Sequence, residues 1–168
     1  MMRKWIVPAL LCAALCLPAS HAGDEPSAKY VAHLSGQGEN PPVDTRGQGQ
    51  AKITVSSDEL EVGYKLTVAN TENMTQAHIH CGGPDVNGPV VVFLFGFVTG
   101  GVTLNGILME GSFDNADVIP RPDSDLCPGG IGDLDDLLDA MENGMAYVNV
   151  HTVANPPGEI RGQLQPAD

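Results

Sequence analysis

The chain has 168 residues, with 21 acidic against 8 basic side chains and a formal net charge of −13 at pH 7. This acidity argues against nucleic acid and anionic membrane surfaces as partners, because both are negatively charged themselves. A chain of this length fits a single domain of ordinary size, and we expect it to be a monomer.

The first 22 residues have the organisation of a cleavable secretory signal. A basic start, MMRK, precedes the apolar stretch 5–17, and the segment SHA at 20–22 has the small-x-small form of a cleavage site. The apolar stretch is shorter than the about 20 residues that cross a membrane, and no later segment reaches that length. We therefore expect export to the periplasm or the extracellular space without membrane insertion, and a mature chain that starts near Gly23.

A polar segment at 23–28 follows the signal and is expected to be a disordered leader. The remainder, 29–165, is predicted to be one all-β domain of short strands separated by Gly, Pro, Asn and Asp. The predicted strands are 30–35, 50–56, 60–69, 75–81, 89–97, 104–113, 145–152 and 158–164. This pattern is typical of an antiparallel, Greek-key-like β-sandwich or barrel.

One helix is predicted in a crossover loop, at 133–143. Its apolar residues recur at helical spacing, Asp133 can cap its first turn, and Gly144 can end it. We expect this helix to pack against the sheet.

Two cysteines, Cys81 and Cys127, remain once the signal is removed. In an exported chain such a pair most often forms a disulfide. The alternative is Cys81 as a thiolate metal ligand, because it directly follows the motif His78-Ile79-His80. Side chains alternate along a strand, so Cys81 shares the apolar face with Ile79 and points away from both histidines. Alternation therefore favours the disulfide.

His78, His80 and His151 all fall on the polar faces of predicted strands, as does His33. The Cα atoms of His78 and His80 would lie about 6.6 Å apart, so that both imidazoles could reach one ion at about 2.0 Å per nitrogen. If His151 lies nearby, the three form a set suited to copper first and zinc second. The alternative is that these histidines are solvated polar side chains, which is what we expect of His33.

Glu159 and Arg161 lie on one face of the last predicted strand. An arginine on a strand usually pairs with a carboxylate or with loop carbonyls to fix a turn. We therefore predict a structural ion pair here and no catalytic role.

Three segments resemble the successive signatures of the CHRD domain, a module named after chordin and found as a single domain in many exported bacterial proteins. They are LSGQGENPPVDTRGQGQAKI at 34–53, AHIHCGGPDVNGPVVVFLF at 77–95 and GMAYVNVHTVANPPGEIRGQL at 144–164. The resemblance implies a β-sandwich that serves as an extracellular binding or structural module. The histidines of the family match His78, His80 and His151 here, and its closing charged motif matches Glu159 and Arg161. Many members have Gly where this chain has Cys81, so the disulfide is a local addition.

A weaker resemblance links His78, His80 and His151 to the copper ligands of the Cu,Zn superoxide dismutases. No histidine lies between His80 and His151 to bridge two metals, and the histidines of a zinc site are missing, so dismutase activity is not expected. No Ser/His/Asp or Cys/His constellation predicts a nucleophile, and we expect no catalytic residue.

The sequence thus predicts an exported CHRD-domain protein that binds copper, or else zinc, through three histidines. The alternative is a metal-free extracellular module that contacts another exported protein.

Overall fold

The computed structural model describes residues 25–168. The strands are β1 (Ala28–Ser35), β2 (Gln48–Val55), β3 (Glu61–Ala69), β4 (Met74–Cys81), β5 (Val90–Phe95), β6 (Gly106–Asp114), β7 (Ala146–Thr152), β8 (Ile160–Gln163) and β9 (Gln165–Pro166). A single α-helix in this part of the chain, α1, spans Leu134–Glu142. No helix of residues 25–168 is long and apolar enough to cross a membrane.

The strands form one antiparallel sheet that is nearly closed into a barrel. Their order is β5-β4-β7-β8-β1-β2-β3-β6, and β9 pairs with β1. The end strands β5 and β6 approach each other. From β3, the neighbour of β6, the hydroxyl of Tyr64 donates to the carbonyl of Leu94 in β5 over 2.7 Å. The predicted all-β antiparallel fold with one short helix is confirmed.

All eight predicted strands are present, with ends that differ by a few residues. Two small elements were not predicted, the two-residue β9 and a 3-10 turn at Gly36–Gly38. Strand β1 begins at Ala28, one residue before the expected start of the domain, and the N–H of Ser27 already donates to Val55. The predicted signal at 1–22 lies outside the described residues.

The barrel interior is filled by alternate strand residues, as the period of two predicts. Ile53, Leu66, Ile79 and Ile160 are at most 1% exposed. The disulfide joins Cys81 at the end of β4 to Cys127, across a Cα separation of 5.3 Å. The predicted disulfide is confirmed, and Cys81 is not a free thiolate ligand.

The predicted helix is also confirmed, together with both of its ends. The Asp133 side chain accepts a hydrogen bond from the N–H of Asp136, and Gly144 adopts a φ of 66° in the left-handed region. Leu137 and Met141 bury the apolar face of the helix against the barrel.

Burial extends to the outer face of β7. Tyr147, Asn149 and His151 lie on the face opposite the core, as alternation predicts for His151, yet they are only 2%, 3% and 7% exposed. Loops cover the outer face of β4, β7 and β8: His80 contacts the carbonyl of Gly88, His151 that of Pro156, and Arg161 that of Gly83. The outer face of these strands is therefore a second buried layer, and it is polar.

Candidate metal centre

Two neighbouring strands supply the three histidines. His78 and His80 alternate with apolar residues along β4, and His151 lies near the end of β7. In the ladder between these strands His78 is opposite Asn149, and His151 is opposite Gln76. Because 76, 78 and 80 share one face of β4, His151 is a diagonal neighbour of His78 on that same face. The structure thus brings together the three residues that the sequence singled out, whereas His33 is exposed on β1.

The ring nitrogens converge. His78 Nδ1 lies 3.0 Å from His151 Nε2, and one ring nitrogen from each of the three residues lies within 4.8 Å of the other two. A tetrahedral ion with about 2.0 Å bonds separates its ligand nitrogens by about 3.3 Å. The closest pair, His78 Nδ1 and His151 Nε2, lies near this spacing, and side-chain rotations would bring the nitrogen of His80 to it.

Backbone carbonyls fix the tautomers of two rings. His80 Nδ1 lies 2.9 Å from the carbonyl of Gly88, and His151 Nδ1 lies 2.8 Å from that of Pro156. Because a carbonyl only accepts, both Nδ1 atoms must carry the proton, and both Nε2 atoms hold a lone pair. His78 Nδ1 then donates to His151 Nε2 when no ion is bound. Metal-bound histidines are held in this way, with the second ring nitrogen donating to a carbonyl.

The site is buried and its imidazoles are neutral. Burial lowers the pKa of His78 from 6.5 to about 3 and that of His80 to about 4, and neighbouring imidazoles act in the same direction on both. Burial also lowers the pKa of His151. Neutral imidazole is the form that binds metal, so no proton competes with an ion near neutral pH.

An aromatic stack supports His80 from one side. The ring of Tyr147 stacks on His80 with centroids 4.8 Å apart and planes inclined by 9°. The guanidinium carbon of Arg161 lies 3.4 Å from the centroid of the Tyr147 ring. Phe93 meets His78 edge-on at 4.5 Å.

The predicted ion pair between Glu159 and Arg161 was wrong. Glu159 accepts hydrogen bonds from the hydroxyls of Thr45 and Thr152 and from the amide of Asn155. Arg161 donates to the carbonyl of Gly83 and to the side-chain oxygen of Asn87, and it stacks on Tyr147. Both side chains are buried among close neutral partners from the covering loops, which satisfy them without direct pairing. Glu159 and Arg161 therefore contact different loops.

Sequence reasoning missed Glu39. The residue is 9% exposed, and burial raises the pKa of its carboxyl to about 7 against the opposing charge of Arg161. It follows the 3-10 turn in a stretch rich in Gly and Pro, where no periodicity indicates burial. The sequence feature that could have indicated Glu39 is its position within the first of the three motif segments, 34–53.

Comparison with known protein families decides the family. The model of the CHRD domain matches residues 30–164, which is nearly the whole of the chain. The chain belongs to the CHRD domain family. Neither the search of curated proteins nor that of solved structures found a significant match. In this CHRD domain the motif segment 77–95 contains His78 and His80 of β4, and 144–164 contains His151, so two of the three motif segments build the histidine cluster.

Proposed function

We propose that this CHRD domain binds a transition metal, copper first and zinc second, through His78, His80 and His151. The carrying observation is the convergence of three buried imidazoles, whose closest nitrogens are 3.0 Å apart. Imidazole ligands suit both ions, and at a given site Cu²⁺ binds more tightly than Zn²⁺. The net charge of −13 would favour the approach of cations.

One further observation supports this proposal. Among residues 25–168, the Nε2 atom of His80 is buried and has no hydrogen-bond partner. An unpartnered buried polar atom costs about 1–3 kcal/mol, and an ion bound to it would remove that cost.

Calorimetric titration of the metal-free protein with Cu(II) and with Zn(II) tests the proposal. We expect a Kd below about 10 μM for Cu(II), and at least about tenfold weaker binding when His78, His80 or His151 is changed to alanine. His33→Ala is the matched control, since it removes an exposed histidine of β1 and should bind as the wild type does. Binding that is unchanged in the triple alanine variant would contradict the proposal.

We further propose that the protein is exported as a monomer, with residues 1–22 as the signal, 23–28 as a leader and 29–165 as the domain. The Cys81–Cys127 disulfide is compatible with an oxidising compartment outside the cytoplasm. Mass spectrometry of the processed protein should give a chain that starts at Gly23. A mature protein that retains residues 1–22 would contradict export by this signal.

A metal-free interaction module is the second candidate. Phe93 and Phe97, in and just after edge strand β5, are 54% and 71% exposed, and Ile107 and Met109 of edge strand β6 are 49% and 41% exposed. Exposed apolar side chains at a sheet edge favour contact with another protein, here another exported one. Such a partner should bind in the presence of chelator and be lost with Phe97→Ser. A partner released by chelator would instead support the metal site.

A further inference from the structure

A small pocket opens beside His80. Its volume is about 190 Å³, room for about six water molecules. Its walls come from the loop after β1, from β7 and from the turn after β7, and they include Glu39, Asn149 and Gly158. Of the three histidines, only His80 lines it.

The pocket is lined by hydrogen-bond acceptors that lack donors. Within residues 25–168 four buried side-chain atoms have no partner: Glu39 Oε1, His78 Nε2, His80 Nε2 and Asn149 Oδ1. Three of these four residues line the pocket. A metal ion bound to the histidines would engage His80 and leave Glu39 and Asn149 still without a donor. Both residues are more than nine-tenths buried, so only a water molecule or ligand held inside the pocket could supply these hydrogen bonds.

The lack of a side chain at Gly158 keeps the pocket open beside His80. A Cβ at Gly158 would lie 2.5 Å from Glu39 Oε1 and 2.9 Å from Asn149 Nδ2, so the absence of a side chain there leaves the space between them free. Gly158 also has a φ of 143°, which other residues rarely adopt. On another side, the Phe93 ring packs edge-on against His78, with centroids 4.5 Å apart. An additional ligand would therefore reach the ion past His80, through the pocket.

We propose that this pocket is the open coordination face of the metal centre, where a metal-bound water molecule donates hydrogen bonds to Glu39 and Asn149, and where a small anion can replace that water. The inference rests on the proposed function. Three protein ligands with one exchangeable position are the arrangement of reactive metal sites, whereas structural sites are closed by four protein ligands. Glu39 is a positioning residue for the bound water.

Azide is the probe. The protein is first loaded with Cu(II) and its metal content measured, and azide is then titrated in a mildly alkaline buffer while the azide-to-copper absorption band and the electron paramagnetic resonance spectrum are recorded. We expect azide to replace the bound water and to change both spectra.

Glu39→Gln should bind azide at least about fivefold more tightly, because it removes a carboxylate that repels the anion. Glu61→Gln is the control, because it removes an equal charge from an exposed position of β3 and should bind azide as the wild type does.

A second measurement needs no variant. Exchangeable deuterons of a bound water should appear beside Cu(II) in heavy water, by electron-nuclear double resonance, and should vanish with azide. Spectra that do not respond to azide, with copper retained, would overturn the open face and leave the metal site standing. If Glu39→Gln bound azide with unchanged affinity, the role of Glu39 in positioning the bound water would be overturned. A protein that takes up no copper would overturn this inference together with the proposed function.

Discussion

Gly88 holds the imidazole of His80 in place. Its carbonyl accepts from His80 Nδ1 at 2.9 Å and from the Tyr147 hydroxyl at 3.4 Å, and its N–H donates to that hydroxyl over 3.1 Å. A Cβ on Gly88 would lie 1.6 Å from the carbonyl oxygen of Cys81, so only glycine allows this approach. A residue in the turn before β5 therefore determines which nitrogen of His80 faces the site.

The buried histidines make the stability of the metal-free protein depend on pH. The pKa values of His78 and His80 fall from 6.5 to about 3 and about 4 on folding, chiefly through burial. Below about pH 6.5 these two histidines bind protons in the unfolded chain but stay neutral in the folded chain. The stability contributed by His78 and His80 is therefore fully present above that pH and is lost as the pH falls toward their folded pKa values. Glu39, whose pKa is raised to about 7, acts in the opposite direction.

A matched variant separates these effects. Urea unfolding with chelator should show that His78→Gln loses less free energy of unfolding than the wild type does between about pH 7 and pH 5. His33→Gln, on the exposed face of β1, should behave like the wild type. Equal slopes in all three proteins would contradict the buried, neutral state of His78.

Arg161 braces the loop that carries Gly88. Its guanidinium donates to Gly83 over 2.8 Å and to Asn87 over 3.2 Å, while it stacks on Tyr147. Lysine cannot reproduce this planar arrangement. Arg161→Lys should lower the free energy of unfolding by about 2–3 kcal/mol, whereas exposed Arg46→Lys should change it by less than about 0.5 kcal/mol. An Arg161→Lys variant as stable as the wild type in chemical denaturation would refute this role.

At the scale of elements, alternation along the strands correctly sorted His78 and His80 from Cys81. It could not show that the outer face of β4 and β7 is buried, because that depends on the paths of loops at 36–45, 82–89 and 153–158. Such loops carry no periodicity from which burial can be predicted. For the same reason Glu159 and Arg161 found loop partners that their positions on one strand did not indicate.

The disulfide ties the end of β4 to the segment that leads into α1. Cys81 and Cys127 are separated by 46 positions, and closing a loop of this length stabilises the folded state by about 4 kcal/mol through the unfolded chain. A Cys81→Ala, Cys127→Ala variant should lose about that much in urea unfolding. The reduced wild type should resemble the variant, and a reductant should leave the variant unchanged. A reduced wild type as stable as the oxidised protein would contradict this contribution.

At the scale of the whole molecule, the sequence predicted the fold class from its strand pattern, the helix from its apolar spacing and the disulfide from its cysteine pair. It did not predict that β4 and β7 would be adjacent, because pairing between strands about 70 residues apart is set by the topology of the barrel. The family resemblance matched the three histidines to histidine positions of the family. The 3.0 Å distance between His78 Nδ1 and His151 Nε2 could be seen only in the folded structure.

A metal that binds only the folded protein should stabilise the whole barrel. At a free Cu(II) concentration 100 times the Kd, the free energy of unfolding should rise by about 2.7 kcal/mol. The triple alanine variant of His78, His80 and His151 should show no such increase in thermal unfolding with and without copper. Equal stabilisation of both proteins would place the ion elsewhere, for instance on the acidic surface.

Anomalous diffraction from crystals grown with Cu(II) tests the central claim most directly. We predict one strong peak at the copper absorption edge among the three imidazoles, about 2.0 Å from a nitrogen of each of His78, His80 and His151. A strong peak on surface carboxylates with none among these histidines, or no peak at all, would contradict the account.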